Sequence, residues 1–153
     1  MKLLVTGSRN WTDRRIVHDA LAHLTEADLL VHGANGRYDR DTRTYCGADI
    51  LCEQLAMVHS IPTRPYPVTE AEWTRYGLSA GPRRNLRMYE EQRPDEVVAF
   101  RLPGTSKGTD GMVKIALDGG TGVVLYYLES PDSLMHALPD DWAQYCKLVG
   151  RKP

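Results

Sequence analysis

Phenylalanine occurs once and cysteine three times in the 153 residues, and neither sign of charge is in excess. No apolar run approaches the roughly 20 residues of a membrane span, so a membrane partner is not expected. Lys and Arg total 19 against 20 Asp and Glu, a net charge of -1, which argues against a generally basic nucleic-acid binder. Cys46, Cys52 and Cys146 are odd in number and lack the paired close spacing of a zinc site. No metal is therefore expected, and each cysteine reads as a small packed side chain. Neither the P-loop pattern nor the dinucleotide G-x-G-x-x-G fingerprint occurs, which leaves an ATPase or an NAD(H) dehydrogenase unsupported and implies no cofactor. Repeats and low-complexity tracts are also missing. The opening Met1-Lys2-Leu3-Leu4-Val5 reaches Gly7 too soon for a signal peptide, and the expected setting is a reducing cytoplasm.

What the chain does contain is an alternation of short apolar runs and helical patterns. Leu3-Leu4-Val5 reads as a strand buried on both faces, ending in Thr6-Gly7-Ser8. Thr12 and Asp13 offer N-cap oxygens to a helix carrying Ile16, Val17, Ala20, Leu21 and Leu24. Leu29-Leu30-Val31 is a second strand, closed by His32-Gly33. Residues 34–46 are polar and without clear period, and read as a loop or excursion. A helix follows over 47–60, then an edge strand over 61–66 with Pro62 and Pro65. A short helix starts at Thr69, and another runs over 83–92. Val97-Val98-Ala99-Phe100 is a strand, 109–117 a helix, and 123–127 the last strand. The pattern predicts a Rossmann-like, doubly wound α/β fold with a mainly parallel sheet of about five strands, in the order 3-2-1-4-5. Residues 1–129 would form the domain, with an insert at about 35–46. Residues 130–153 would be a C-terminal extension with only weak helical pattern.

In such a sheet the ligand crevice opens between strands 1 and 4, at their C-terminal ends. The Gly-rich polar chemistry falls there. After strand 1 comes Thr6-Gly7-Ser8-Arg9-Asn10-Trp11, and after strand 4 Pro103-Gly104-Thr105-Ser106-Lys107-Gly108-Thr109, which opens a helix. Glycine lets backbone N–H groups approach a ligand, and a helix N-terminus suits phosphate. Lys107 would add a charge, and Ser106 and Thr109 hydroxyls. Either loop alone also reads as an ordinary turn; two at one switch point favour binding. A third segment, Ala80-Gly81-Pro82-Arg83-Arg84-Asn85, puts Arg84 and Asn85 in a first helical turn, to grip phosphate or read sugar, or else to form a solvated Arg-rich face. Trp11 and Trp73 are candidates for stacking on a base.

Several short pieces in order form one pattern: Thr6-Gly7-Ser8-Arg9 with Trp11-Thr12-Asp13, His32-Gly33-Ala34, Gly47-Ala48-Asp49, Glu72-Trp73, Gly77, Ala80-Gly81-Pro82 with Arg84-Asn85 and Met88, and Gly108-Thr109 with Met112. From about Lys2 to Tyr127 the chain resembles the YspA-like, cpYpsA-related branch of the SLOG superfamily. Its relatives include the LOG (lonely guy) phosphoribohydrolases and the DNA-loading protein DprA. The resemblance implies a Rossmann-like fold that binds or senses a nucleotide or nucleotide-derived ligand of phosphoribosyl or ADP-ribose type, and a homodimer. The loops and the resemblance together lead to expected ligand contacts from Gly7, Ser8, Arg9, Trp11, Gly33, Asp49, Arg84, Asn85, Gly104, Ser106, Lys107, Gly108 and Thr109. LOG enzymes carry a catalytic Glu in a P-G-G-x-G-T-x-x-E loop and an Arg in an R-K-x-x-M motif. Here Arg84 matches that Arg, the candidate catalytic residue, while Asn85 replaces the Lys and Met112 stands in the place of the Glu. A thioether cannot act as a general base. Binding without chemistry is therefore the first expectation. A LOG-like N-glycosyl hydrolase using Asp49 or Asp110 is the second, and DprA-like single-strand binding through Arg83, Arg84 and Arg87 the third.

Overall fold

The computed structural model describes residues 1–153. In chain order the elements are β1 (Lys2–Gly7), α1 (Arg14–Leu21), β2 (Leu29–His32), β3 (Arg37–Asp39), β4 (Thr44–Cys46), α2 (Ala48–Val58), β5 (Thr63–Pro65) and α3 (Glu70–Tyr76). After one 3-10 turn come α4 (Ala80–Gln92), β6 (Glu96–Arg101), α5 (Lys107–Asp118), β7 (Gly122–Ser130), β8 (Ser133–Ala137) and α6 (Trp142–Val149). No helix is long and apolar enough to cross a membrane.

The central sheet is mainly parallel and broadly Rossmann-like, with six strands in the order β5-β2-β1-β6-β7-β8. Count and order both differ from the expected five-strand sheet. The difference lies at the β7 edge, where β8 folds back antiparallel, with an irregularity between Leu128 and Ser130. β8 is mostly solvent-facing, and its apolar residues, Leu134, Met135 and Ala137, do not form the continuous run that marks the interior strands.

Strand alternation divides the core. Leu3 and Val5 of β1, with Val98 and Phe100 of β6, pack under α1 and α2. Leu4, Val97 and Ala99 point the other way, toward α4, α5 and α6. Asp13 caps α1 by accepting from the Ile16 N–H at 2.9 Å. Thr69 and Glu72 form a reciprocal capping box on α3. Cys46, Cys52 and Cys146 are free and buried, as packed side chains.

Residues 34–46, expected as an excursion, carry a two-stranded antiparallel hairpin, β3 on β4, with Tyr38 and Tyr45 edge to face at 5.1 Å. Its base is tight. Gly47 has φ +114, and a Cβ there would stand 2.7 Å from the Gly36 Cα. The Gly47 N–H donates to the Trp11 carbonyl at 2.8 Å, which roots the hairpin against the β1–α1 loop.

The chain after residue 130 adds β8 to the sheet and packs α6 on α5. α6 is latched by a buried polar cluster. The Asp110 carboxylate accepts from Arg101 Nε at 2.8 Å, from the Tyr145 hydroxyl at 2.6 Å and from Arg151 Nη1 at 2.9 Å. Burial alone would raise the Asp110 pKa, but the hydrogen bonds from Arg101, Tyr145 and Arg151 hold it below the usual carboxylate value. The stabilisation this gives is present above the unfolded Asp value, about 3.9, and is lost as pH falls through the depressed folded value. Asp110→Asn should therefore cost about 3–5 kcal/mol at neutral pH, since it strands the buried Arg101 charge. It should also flatten the acid limb of the stability curve. Urea denaturation between pH 3 and 7 measures both, and a loss under about 1 kcal/mol would mean the cluster is not a latch.

Candidate functional site

The C-terminal ends of β1 and β6 open a cleft of about 280 Å³ lined almost wholly by polar residues. Of the residues singled out from sequence, Gly7, Ser8, Arg9, Gly33, Asp49, Arg84, Asn85, Ser106, Lys107, Gly108 and Thr109 line it together. Val5, Thr6, Asn10, Asn35, Met88 and Thr105 line it as well and were not singled out. Asn10, Asn35 and Thr105 are neighbours of the Gly-rich positions, so the strand-end rule could have found them.

Two of the sequence candidates lie elsewhere. Trp11 is fully buried, tilted on Phe100 with ring centroids 5.3 Å apart, and its indole N–H donates to the Asp13 carbonyl at 2.9 Å. Its ring area is used in the core. Gly104 sits outside the lining, with its carbonyl accepting from Arg101 Nη2 at 3.2 Å. Met112 is also wholly buried, packed in the core beneath α5.

The two loops are not equivalent donors. The Ser8 N–H already donates to the Phe100 carbonyl at 2.9 Å, and the Asn10 N–H donates to Ser8 Oγ at 3.1 Å. α1 begins only at Arg14, so the first loop does not open a helix. α5 does. Its N-cap, Ser106, makes no side-chain cap bond, so the first-turn N–H groups have no partner from that side chain. Arg9 and Lys107 flank the cleft, and neither forms an ion pair within the chain.

Arg84 is not part of a solvated Arg-rich face. It is 4% exposed. Its Nη1 donates to the Gly33 carbonyl and, at 2.7 Å, to the Tyr66 carbonyl, while Nε donates to Asn85 Oδ1 at 2.9 Å. Asn85 Nδ2 in turn donates to the Gly108 carbonyl at 3.3 Å. Asn85 thus ties α4 to the first turn of α5, and its amide is engaged in positioning. Arg83 instead lies over the Tyr76 ring, 4.3 Å from its centroid, and Arg87 pairs with Glu72 at 3.7 Å. The three arginines therefore do not form one patch.

His32, at the end of β2, is a structural residue. Its Nδ1 accepts from the Ala34 N–H at 3.0 Å and its Nε2 is paired with the Glu53 carboxylate. Asp49, in the first turn of α2, accepts from the Asn35 N–H at 3.0 Å through Oδ2. Burial raises its pKa, opposed by His32, the Asn35 N–H and Arg84. Beyond Arg9, Gly33 and Asn35 the cleft continues into a smaller annex of about 230 Å³ that adds Pro67, Val68 and the half-exposed Trp73.

No protein-family model matches the chain. Over 130 residues it is 32% identical to the Gene 61 protein of Mycobacterium phage D29, an alignment that spans 80% of this chain and 94% of the phage protein. The chain belongs to the family of that phage protein. The Gene 61 name carries no chemistry, so what this member of the family does rests on its cleft.

Two measurements probe that geometry. A Cβ at Gly33 would stand 2.8 Å from Arg84 Cζ, so Gly33→Ala should displace the guanidinium and destabilise the fold by about 1–3 kcal/mol, read by urea denaturation. Asp49 works with the opposite sign from Asp110. A carboxylate with a raised folded pKa favours the fold below the ordinary Asp value and disfavours it as pH rises through the raised value. Asp49→Asn keeps an oxygen for the Asn35 N–H and relieves a buried carboxylate, but it also removes the charge that offsets the burial of Arg84. Its stability relative to wild type should therefore rise with pH above the ordinary Asp value, read by urea denaturation between about pH 4 and 8, and a flat difference would contradict this.

Proposed function

We propose that this chain binds a nucleotide or nucleotide-derived ligand of the phosphoribosyl or ADP-ribose type, as a SLOG-like binding or sensing protein. The observation that carries the reading is the N-terminus of α5. Its first turn lines the cleft with no cap from the Ser106 side chain, beside two unpaired cations, Arg9 and Lys107. Unpaired N–H groups, the helix dipole and flanking charge together select phosphate over a neutral ligand. The annex supports the nucleotide class. Trp73 offers a flat apolar surface next to the polar cleft, and Arg9 lines both compartments. The ordered motifs shared with the YspA-like branch agree with this reading.

A hydrolase is the second reading, favoured by one observation. Asp110, one of the two acids open to that role, is occupied by three partners, whereas Asp49 lines the cleft with an oxygen to spare. An N-glycosyl hydrolase on this chain would thus use Asp49, with Arg84 holding the ligand. Single-strand binding has less support, because Arg83, Arg84 and Arg87 do not form one patch and the chain carries no net positive charge.

The test is a thermal-shift screen with nucleoside mono- and diphosphates and ADP-ribose derivatives at millimolar concentration, with chromatography of each hit after incubation. A ligand at 100 times its Kd should add about 2.7 kcal/mol of stability. Recovery of the ligand intact supports binding or sensing; release of free base identifies a hydrolase; the absence of any shift removes the nucleotide reading. Lys107→Ala should weaken the hit about tenfold. Trp73→Ala should cost a base-bearing ligand about 1–3 kcal/mol and leave ribose 5-phosphate unaffected, measured by titration calorimetry.

A further inference from the structure

The floor of the cleft carries a hydrogen-bond acceptor that the protein leaves unused. Asp49 is 3% exposed, and while Oδ2 accepts from Asn35, Oδ1 accepts no well-formed hydrogen bond; the Gly33 N–H adds only a weaker polar contact to the carboxylate. It is the sole buried side-chain nitrogen or oxygen in the chain left in this state. Buried polar atoms are almost always satisfied, and an orphaned one in a ligand-sized cleft points to a partner that arrives from outside. Arg84, on the same lining, has a matching surplus. Its Nε and Nη1 are used on Asn85, Gly33 and Tyr66, and its Nη2 forms no hydrogen bond within the protein.

The chemistry of the missing partner follows from this pair. A phosphate at Oδ1 would meet a carboxylate and be repelled. A metal ion has too few ligands, since no group of three or more His, Cys, Asp or Glu side chains lies together. A hydroxyl fits. It donates once, to Oδ1, and accepts once, from a guanidinium N–H. Sugar hydroxyls in a dinucleotide-binding crevice are read by a carboxylate in the same way.

We propose that Asp49 Oδ1, with Arg84, reads the ribose hydroxyls of a ribonucleotide, and that the cleft therefore discriminates ribose from deoxyribose. This rests on the nucleotide reading above and adds an orientation: phosphate at the N-terminus of α5, sugar over Asp49 and base toward Trp73.

The experiment is titration calorimetry with the ribonucleoside 5′-mono- and diphosphates and their 2′-deoxy and 2′,3′-dideoxy counterparts. Wild-type protein should bind the ribose forms about 10- to 100-fold more tightly, the worth of a hydrogen bond to a charged group. In Asp49→Asn the ratio should fall toward one, because keeping the amide oxygen on the Asn35 N–H turns the NH2 group, a donor, to where Oδ1 would accept the ribose hydroxyl. Equal binding of ribose and deoxyribose forms by the wild type would overturn the proposal and leave the nucleotide reading standing. Binding of none of them would overturn the proposal, and with ADP-ribose also inert the nucleotide reading would go too. A ratio unchanged in Asp49→Asn would overturn the assignment to this residue. The wild-type comparison needs no variant, so the question does not depend on how the substituted protein folds.

Discussion

One buried guanidinium holds the cleft in shape. Arg84 reaches from α4 to the Gly33 carbonyl beyond β2 and the Tyr66 carbonyl beyond β5, and through Asn85 it is coupled to the first turn of α5. Each carbonyl lies where a strand has ended and its backbone has lost its ladder partners. A charged donor is suited to the task, because its hydrogen bonds in a dry interior are stronger than neutral ones. Burial pulls the Arg84 pKa down, and Asp49 is the main group opposing that pull. The carboxylate therefore serves the guanidinium electrostatically without being consumed by a hydrogen bond to it.

Asp49 and Asp110 make an instructive contrast. Both sit in the first turn of a helix, where a carboxylate complements the dipole, and both are almost fully buried. Asp110 is saturated by a guanidinium, a phenol and a second guanidinium, so its chemistry is used up in holding α6. Asp49 is held through one oxygen only. Residue type is the same and both lie in a first turn, Asp49 at its second residue and Asp110 at its fourth; the number of satisfied lone pairs separates a structural acid from one available to a ligand.

Much of this arrangement was legible in the sequence, for definite reasons. β1, β2, β6 and β7 are continuous apolar runs because they are covered on both faces, and such runs need no tertiary information to be seen. The location of the cleft followed from topology, since the Gly-rich segments fall after β1 and β6. The hairpin over 37–46 escaped because short strands packed on no sheet bury too little to impose a period. β8 escaped for a related reason, being mostly solvent-facing, and α6 has only a short apolar stripe, latched by Tyr145 and Arg151 from a distance in sequence. Side-chain direction was the other blind spot. Trp11 and Trp73 looked alike in sequence; one fills the core and the other lines the annex. Spacing alone did not separate Arg84 from Arg83 or Arg87; the resemblance singled it out, and its burial shows the side chain held inside the protein.

The base of the hairpin has an evolutionary corollary. A Cβ on Gly47 would meet the Gly36 Cα and one on Gly36 would meet Ile50 and the Cys46 carbonyl, yet the tip between Asp39 and Thr44 lies in solvent and contributes nothing to the core. The segment is in effect a cassette on a fixed hinge pair. Its tip can change in length and composition without touching the core or the cleft floor with Asp49 and Arg84, since none of residues 37–46 lines the cleft.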